Sequence, residues 1–323
     1  MFTRRLLLPM LAAIPFRRPT PSRESVPRAT ETRLIFGGDV MLSRFVGKLA
    51  RERGDPASPL RELAPVLSAA DIAFVNLEAP FSDRGRLVES GMIFKAEPEM
   101  IGALELAGID IVSTANNHAR DCNGHGVEFT LDWLAGHGIA NAGSAKSAEE
   151  AHRGTVLERN GARFGFLAYT YDQSNGNHRD FDDRVATMDV DRMRRDVASV
   201  LERAEVAIVS MHAGLEYSPR PNRQQIDFAH AAIEAGARVV VGHHPHVVQP
   251  WEWVGEGVIF YSLGNLVFDQ FQRKDTQHGA LAEVRFSGAA LEHAELVAVD
   301  ITRTGPRLAV APSRAFSAGG GAG

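Results

Sequence analysis

Short apolar runs alternate with segments of helical periodicity from residue 33 onward. The runs are rich in Val and Ile, which predicts buried strands, and the segments between them repeat apolar residues every three or four positions, as helices do. The predicted strands lie near 34–36, 71–75, 109–112, 206–209 and 238–241, and the predicted helices near 59–69, 98–107, 124–136, 189–203 and 221–235. This alternation is typical of βαβ units with parallel strands.

Two stretches depart from that rhythm. Segment 154–170 predicts two strands joined at Asn160-Gly161, a dipeptide that favours the tight turn of a hairpin. Beyond residue 247, apolar runs follow one another without helices, near 247–254, 258–263, 279–287, 291–301 and 306–310. The sequence therefore predicts an α/β protein with a second, partly antiparallel sheet.

Composition narrows the classes of protein that fit. The chain has 323 residues, 44% hydrophobic and 23% charged, which is ordinary for a folded soluble protein with a full core. Its one cysteine, Cys122, excludes an intramolecular disulfide framework, so metal ligands would be His, Asp, Glu or Asn. Residues 1–28 carry six arginines and one acid, a charge of +5, which leaves −10 of the total of −5 for the rest. An acidic body argues against nucleic acid as a partner.

The first residues place an apolar stretch behind two arginines. Arg4 and Arg5 precede an apolar run over 6–16, which is shorter than the roughly 20 residues of a membrane span but suits an export signal. The arginine pair also loosely resembles a twin-arginine signal. We therefore expect an exported protein, periplasmic or in the cell envelope, whose signal is either cleaved or retained as a membrane anchor. The expected parts are an export signal and Pro/Ser/Arg linker over 1–31, one domain over 32–311, and a flexible Gly/Ala tail over 312–323.

Polar residues that can bind a metal follow five of the predicted strands. They are Asp39, Glu78, the pair Asn117-His118, His212, and His244 with His246. Ligand sites of open α/β sheets form beyond the carboxyl ends of the strands. We therefore expect these residues to lie close together at that edge, around one opening (the mouth of the site). Carboxylates and imidazoles together suit Zn, Mn or Fe. Each residue alone also has a structural explanation, as a turn former, a helix cap or a hydrogen-bonded core side chain; together they favour a metal site.

The segment from Gly242 to His246 is the densest of these groups. In extended backbone, successive side chains face opposite ways, so His244 and His246 are predicted to face one side and His243 the other. A pair at this spacing can share one ion or bridge two.

Six segments carry a resemblance to a known family. They are FGGDVML (36–42), DIAFVNLEAPFS (71–82), GIDIVSTANNHARDCNGHG (108–126), SMHAGLEYSPRPNRQQ (210–225), AGARVVVGHHPHVVQP (235–250) and IFYSLGNLVFDQ (259–270). In this order they resemble the capsule-synthesis or poly-γ-glutamate biosynthesis family (CapA/PgsA-like), within the calcineurin-like metallophosphatase superfamily. The resemblance implies a metallophosphatase-like sandwich of two mixed sheets flanked by helices, an αββα arrangement.

The resemblance also implies which residues hold divalent ions. One ion would be held by Asp39, Glu78 and His246, and a second by Glu78, Asn117, His212 and His244. It further implies that His118 donates a proton to a leaving group or steadies developing charge, with Asp121 orienting it as a second catalytic residue.

Two departures from the superfamily pattern weaken one of the metal positions. Met41 stands where the superfamily has a His ligand, and a thioether is a poor ligand for a hard divalent ion. The second motif is Asn76-Leu77-Glu78 in place of Gly-Asp. The sequence is therefore compatible with either one or two ions.

Further polar residues near these motifs are candidates for substrate binding. They are Glu216, Tyr217, Arg220 and Arg223, which follow His212, and Asn265, which ends a later predicted strand. Either arginine can bind a carboxylate or phosphate through its two-pronged guanidinium. A solvent-exposed start of a helix explains the arginines equally well.

These observations favour an exported protein with a metal-dependent hydrolase-type site in the biosynthesis of an anionic envelope polymer such as poly-γ-glutamate. The expected partners are that polymer or a phosphoester substrate, and a capsule-synthesis membrane complex. Two ions would generate hydroxide at neutral pH, which serves phosphoester cleavage and amide attack alike. A phosphomonoesterase or phosphodiesterase with another substrate, and a non-catalytic capsule-assembly or anchoring partner, stay open as alternatives.

Overall fold

Two mixed β-sheets packed face to face form the centre of the protein. The computed structural model describes residues 30–85, 91–171 and 182–309; the predicted export signal and most of its linker (1–29) and the predicted tail (312–323) lie outside them. The strands in the described residues are β1 (Glu31–Val40), β2 (Ile72–Leu77), β3 (Ile111–Ser113), β4 (Ala140–Ala142), β5 (Thr155–Arg159), β6 (Ala162–Thr170), β7 (Val206–His212), β8 (Ala237–His243), β9 (Trp251–Val254), β10 (Gly257–Phe260), β11 (Asn265–Val267), β12 (His278–Ser287), β13 (Ala290–Thr302) and β14 (Gly305–Leu308).

The two sheets divide these strands between them. The first has the order β14-β13-β12-β1-β2-β3-β4, with β11 pairing parallel to β1, and the second has the order β5-β6-β7-β8-β10-β9. Strands β1 to β4 run parallel in the first sheet, as do β6, β7, β8 and β10 in the second. The hairpin predicted at Asn160-Gly161 joins β5 to β6 and is confirmed.

Helices cover the outer face of each sheet. They are α1 (Arg44–Glu52), α2 (Ala64–Leu67), α3 (Ile101–Leu106), α4 (Asn123–Gly136), α5 (Ala148–Arg153), α6 (Val190–Leu201) and α7 (Arg223–Glu234). Helices α1 to α4 contribute to the apolar core on the outer face of the first sheet, and α5 to α7 to that of the second. None of the helices in the described ranges is long and apolar enough to cross a bilayer.

Successive side chains along a strand enter the apolar cores on its two opposite faces. In β1, Leu34 and Phe36 enter the core between the sheets, whereas Ile35 enters the outer core. Phe74 of the first sheet stacks on Phe166 of the second, with ring centroids 6.0 Å apart. The predicted αββα sandwich of two mixed sheets is therefore confirmed.

One predicted helix is broken in the structure. The segment 59–69 forms a 3₁₀ turn at Ser58–Leu60 and then the short helix α2. Pro59 and Pro65 lie within this stretch, and a proline lacks the N–H that a continuous helix would need at its position. Each proline lies in the first turn of its own short helix, where no helical hydrogen bond from its nitrogen is needed.

Candidate metal centre

Polar residues from both sheets meet at the carboxyl ends of parallel strands. Asp39 lies near the end of β1 and Glu78 directly follows β2, while His212 ends β7. The six predicted metal ligands are at most 9% exposed: Asp39, Glu78, Asn117, His212, His244 and His246. The structure thus brings all six to one mouth, although they come from two different sheets.

Two glycines allow the chain to pass close to this mouth. A Cβ at Gly38 would clash with the carbonyl oxygen of Gly264, and a Cβ at Gly242 would clash with that of Tyr261. The Asp39 amide donates to the Gly264 carbonyl oxygen at 3.0 Å, which fixes the end of β1 against the chain before β11. The glycines beside the acid and the histidines therefore set the positions of both motifs.

Asp39, Glu78 and His246 form what we term the carboxylate half of the centre. One ligand atom from each lies within 4.8 Å of the other two. His246 Nδ1 is 3.2 Å from Asp39 Oδ2, and its Nε2 is 3.7 Å from Glu78 Oε1. Glu78 Oε1 is buried without a hydrogen-bond partner among the described residues. Because burying such an oxygen is costly unless a cation or a proton meets it, this group of side chains fits a divalent cation.

Burial divides the charge unequally between the two acids. Burial and the neighbouring Asp39 raise the pKa of Glu78 well above its usual range. Burial alone would also raise the pKa of Asp39, but contacts with His243 and His246 outweigh it and hold that pKa well below its usual range. Without a cation, Asp39 therefore carries the charge and Glu78 holds a proton.

Asn265 fixes the orientation of His246. Its Oδ1 is 3.0 Å from His246 Nδ1, while its Nδ2 donates to Gln270 Oε1 at 3.2 Å and to the Thr276 carbonyl oxygen at 3.1 Å. This arrangement makes His246 Nδ1 the donor and leaves the Nε2 lone pair facing Glu78. Asn265 was predicted to bind substrate, and the structure places it against a candidate metal ligand.

Asn117, His212 and His244 form the amide–imidazole half of the centre. His212 Nε2 is 2.7 Å from Asn117 Oδ1, and the His212 and His244 rings are 4.9 Å apart. Burial and the neighbouring His244 lower the pKa of His212 well below its usual range, so its ring is neutral. None of the three side chains in this half is a carboxylate.

Asn76 lies between the two halves and was not predicted as a site residue. Its Nδ2 is 2.9 Å from Asp39 Oδ1, 3.4 Å from Glu78 Oε2 and 3.2 Å from His212 Nδ1. Its Oδ1 accepts from Asn116 Nδ2 at 3.2 Å. The only sequence signal for this role is its place in the Asn-Leu-Glu motif, two residues before Glu78.

The predicted orientation of His243 is wrong. Strand β8 ends at His243, and the backbone then turns, with positive φ at His244 (95°) and His246 (59°). Strand alternation therefore does not apply to the three histidines. His243 is fully buried, and its Nδ1 lies 3.5 Å from Asp39 Oδ1, so it faces the centre instead of pointing away from it.

His118 and Asp121 form a buried pair beside the centre. His118 Nδ1 is 2.7 Å from Asp121 Oδ2, which also accepts from the Phe94 amide at 2.7 Å. The Phe94 ring stacks on His118 with centroids 3.9 Å apart. Since Asp121 engages Nδ1, His118 Nε2 is the nitrogen able to exchange a proton with a bound molecule.

The loop after β7 separates the other predicted substrate-binding residues. The Tyr217 amide donates to the Pro245 carbonyl oxygen at 2.8 Å, and its ring is 6.2 Å from that of His246. Burial and the neighbouring Glu216 raise the pKa of Tyr217 to about 12. Arg220 is exposed, and the 86% exposed side chain of Arg223 pairs with Asp227 at 2.8 Å along α7. The structure thus brings Tyr217 and Glu216 to the rim of the centre and leaves the two arginines at the surface.

Met41 packs away from the centre, in the outer core of the first sheet. It is fully buried, and its sulfur accepts from the Ser43 amide at 3.3 Å. The Met41 thioether therefore packs within its own turn and does not face the candidate metal centre.

Fold and site together define a two-sheet α/β protein with a candidate buried metal centre. Residues 33–270 match the family described as bacterial capsule synthesis protein PGA_cap, and the chain belongs to this family. The predicted family is therefore confirmed.

Individual proteins show the same likeness. The chain is 29% identical over 275 residues to "PGA biosynthesis protein CapA" of Bacillus subtilis, covering 84% of this chain and 72% of that protein. It is 27% identical over 288 residues to "Capsule biosynthesis protein CapA" of Bacillus anthracis, covering 84% and 67%. A crystal structure of a hypothetical protein from Thermus thermophilus matches 83% of this chain and 99% of its own at 17% identity and a TM-score of 0.53, a likeness of fold alone.

Proposed function

We propose that this chain is an exported, metal-dependent hydrolase-type protein that acts in the biosynthesis of an anionic envelope polymer of the poly-γ-glutamate kind. Membership of the capsule synthesis family, and relatives named for PGA and capsule biosynthesis, support the pathway. The observation that carries the hydrolase-type site is the buried Glu78 Oε1, which has no hydrogen-bond partner in the described part of the chain and faces His246 within the carboxylate half. The arginine-led apolar run at the amino terminus supports export.

In this proposal the carboxylate half holds a divalent cation such as Mn, Fe or Zn. Such an ion, when bound, lowers the pKa of bound water and polarises the group that is attacked. Asp39 and Glu78 supply the opposite charge, and His246 presents Nε2 because Asn265 engages its Nδ1. Glu78 releases its proton as the cation binds, because its raised pKa keeps the carboxyl neutral beforehand.

His118 is the proposed proton donor to the leaving group. Asp121 engages Nδ1 and stabilises the imidazolium, so the proton leaves from Nε2. The stacked Phe94 ring covers one face of the imidazole and limits its access to water. Tyr217 and Glu216 border the rim, where they contact the part of the substrate beyond the scissile bond.

Hydrolysis of two substrate types by the full-length protein loaded with Mn²⁺ tests the proposal. We expect cleavage of a γ-glutamyl polymer, and a loss of about 10²- to 10⁴-fold in turnover for His118→Asn with metal content retained. His137→Asn is the matched control, because His137 is a partly exposed histidine that directly follows α4 and pairs with Glu105 of α3. Cleavage of chromogenic phosphoesters alone would identify a phosphoesterase. A metal-loaded protein inert toward both substrates would contradict the hydrolase proposal and favour an assembly partner.

A further inference from the structure

We infer that the centre binds one divalent cation, in the carboxylate half, and that Asn76 is the positioning residue that prevents the second half from binding another. The inference rests on the proposed metal site and specifies its stoichiometry. It depends on how the polar atoms of the two halves are already paired.

The carboxylate half alone matches the charge of a divalent ion. It contributes two acids, and one oxygen of Glu78 is buried without a partner among the described residues. Two carboxylates neutralise one divalent ion, and a second buried cation would need further negative charge close by. Asn117, His212 and His244 supply none. Glu78, which the resemblance assigns to both ions, already belongs to the group formed with Asp39 and His246.

The Asn76 amide nitrogen occupies the junction of the two halves. It approaches Asp39 Oδ1 at 2.9 Å and His212 Nδ1 at 3.2 Å. An amide nitrogen carries two hydrogens and has no lone pair that can bind a cation. Between Asp39 and His212, and 3.4 Å from Oε2 of the Glu78 carboxyl that two ions would share, this chain therefore has a hydrogen-bond donor.

The amide cannot turn its oxygen toward the junction without losing contacts. Asn76 Oδ1 accepts from Asn116 Nδ2 at 3.2 Å, and the same Asn116 nitrogen donates to the Leu77 carbonyl oxygen at 2.9 Å. Rotation would set the Asn76 oxygen against Asp39 Oδ1 and leave buried groups unpaired. The orientation of Asn76 is therefore determined by its neighbours on both sides.

The same pairing occupies both nitrogens of His212. Because Nδ1 accepts from Asn76, Nε2 carries the hydrogen and donates to Asn117 Oδ1 at 2.7 Å. An ion in the amide–imidazole half would have to break one of these hydrogen bonds and would gain no carboxylate in return. Replacing Asn76 by Asp supplies that carboxylate and removes the donor to His212.

Mn²⁺ titration of the metal-free, full-length protein, with elemental analysis and electron paramagnetic resonance, tests the inference. We expect one Mn²⁺ per chain with the six-line spectrum of an isolated ion. The variant Asn76→Asp should bind a second Mn²⁺ at least about tenfold more tightly than wild type does, with the spectrum of a coupled pair. Asn160→Asp is the control, because it adds the same charge at the β5–β6 turn, where its Nδ2 contacts the Glu31 carbonyl oxygen.

Each outcome of the titration tests either the one-ion inference or the proposed metal centre. Two tightly bound, coupled Mn²⁺ ions in the wild type would overturn the one-ion inference and leave the proposed metal centre standing. A single ion in folded Asn76→Asp would also overturn it, because Asn76 would then not set the stoichiometry. No bound metal in the wild type would overturn the proposed metal centre itself. The wild-type result decides the first and last cases even where the variant fails to fold.

Discussion

The two halves of the centre are almost equally buried, yet they differ in how their polar atoms are satisfied. In the carboxylate half, Glu78 keeps an oxygen without a partner among the described residues. In the amide–imidazole half, His212 is paired with Asn117 on one side and with Asn76 on the other. Three residues meet in each half, so the number of candidate ligands does not distinguish them. The buried carboxyl oxygen without a partner does, and it identifies the half that fits a cation.

The largest expected effect is that of removing a charge from the carboxylate half. Asp39→Asn removes the acid whose low pKa keeps it ionised, and it should weaken metal affinity by at least about 100-fold, since even indirect partners of a ligand contribute 10- to 100-fold. Competition with a chelating dye measures this affinity. Asp132→Asn is the control, since Asp132 is a surface acid paired with Lys146. Equal affinities in the two variants would remove the distinction between the halves.

A smaller loss is expected from a residue that orients a ligand. Asn265→Ala removes the acceptor from His246 Nδ1 and should weaken metal affinity by about 10- to 100-fold without removing a ligand. Dye competition measures the change, and circular dichroism shows whether β11 and its surroundings stay folded. An unchanged affinity would mean that Asp39 alone fixes the tautomer of His246.

The raised pKa of Glu78 predicts a pH dependence. In the folded, metal-free chain this carboxyl holds its proton, so cation binding must displace it, and affinity should rise with pH by up to about tenfold per unit below that pKa. Glu78→Gln, titrated at Mn²⁺ concentrations high enough to fill its weakened site, should lose this slope. Affinities measured by calorimetry at several pH values give both slopes, and equal slopes would contradict the assignment.

The raised pKa of Glu78 also determines the direction in which the stability of the metal-free protein changes with pH. Because the folded pKa of Glu78 is raised, its contribution to stability is complete below the unfolded pKa of about 4.3 and is lost as the pH rises through the folded value. Bound metal offsets this loss, so the stabilisation by Mn²⁺ in thermal unfolding should grow with pH.

The smallest effect on the affinity for the first ion is expected from a substitution in the amide–imidazole half. His212→Asn should change metal affinity by less than about threefold, or about 0.6 kcal/mol, because His212 pairs with amides in this state. The variant should still lower the unfolding temperature, since it leaves Asn117 and Asn76 with fewer buried partners. A large loss of the first ion in this variant would mean that the halves act as one site.

The repeating pattern of apolar runs was enough to predict an α/β protein with a second, partly antiparallel sheet, whereas the αββα sandwich was implied by the family resemblance. Strands with both faces buried alternate between two cores, which the pattern alone does not show. Leu34 and Ile35 already enter different cores. The pattern missed α1, α5, β4 and β11, which are short or carry mixed composition. It also joined Ser58–Leu60 to α2, where the prolines interrupt the helix.

The candidate ligands were predictable because they follow strands, but their pairing was not. Asn76 and Glu78 are two residues apart in sequence, and only the arrival of β1 and β7 beside them shows that the amide reaches Asp39 and His212. The orientation of His243 depends on positive φ values beyond β8, which no period of two describes. Arg223 pairs with Asp227 because the two are one turn apart on α7.

The metal content of full-length protein purified without chelators tests the central claim most directly. The account predicts Mn, Fe or Zn near one ion per chain in the wild type and a near-background level in folded Glu78→Gln, since the substitution removes the buried oxygen that fits the cation. Equal metal content in the two proteins would contradict the assignment of the carboxylate half as the metal site.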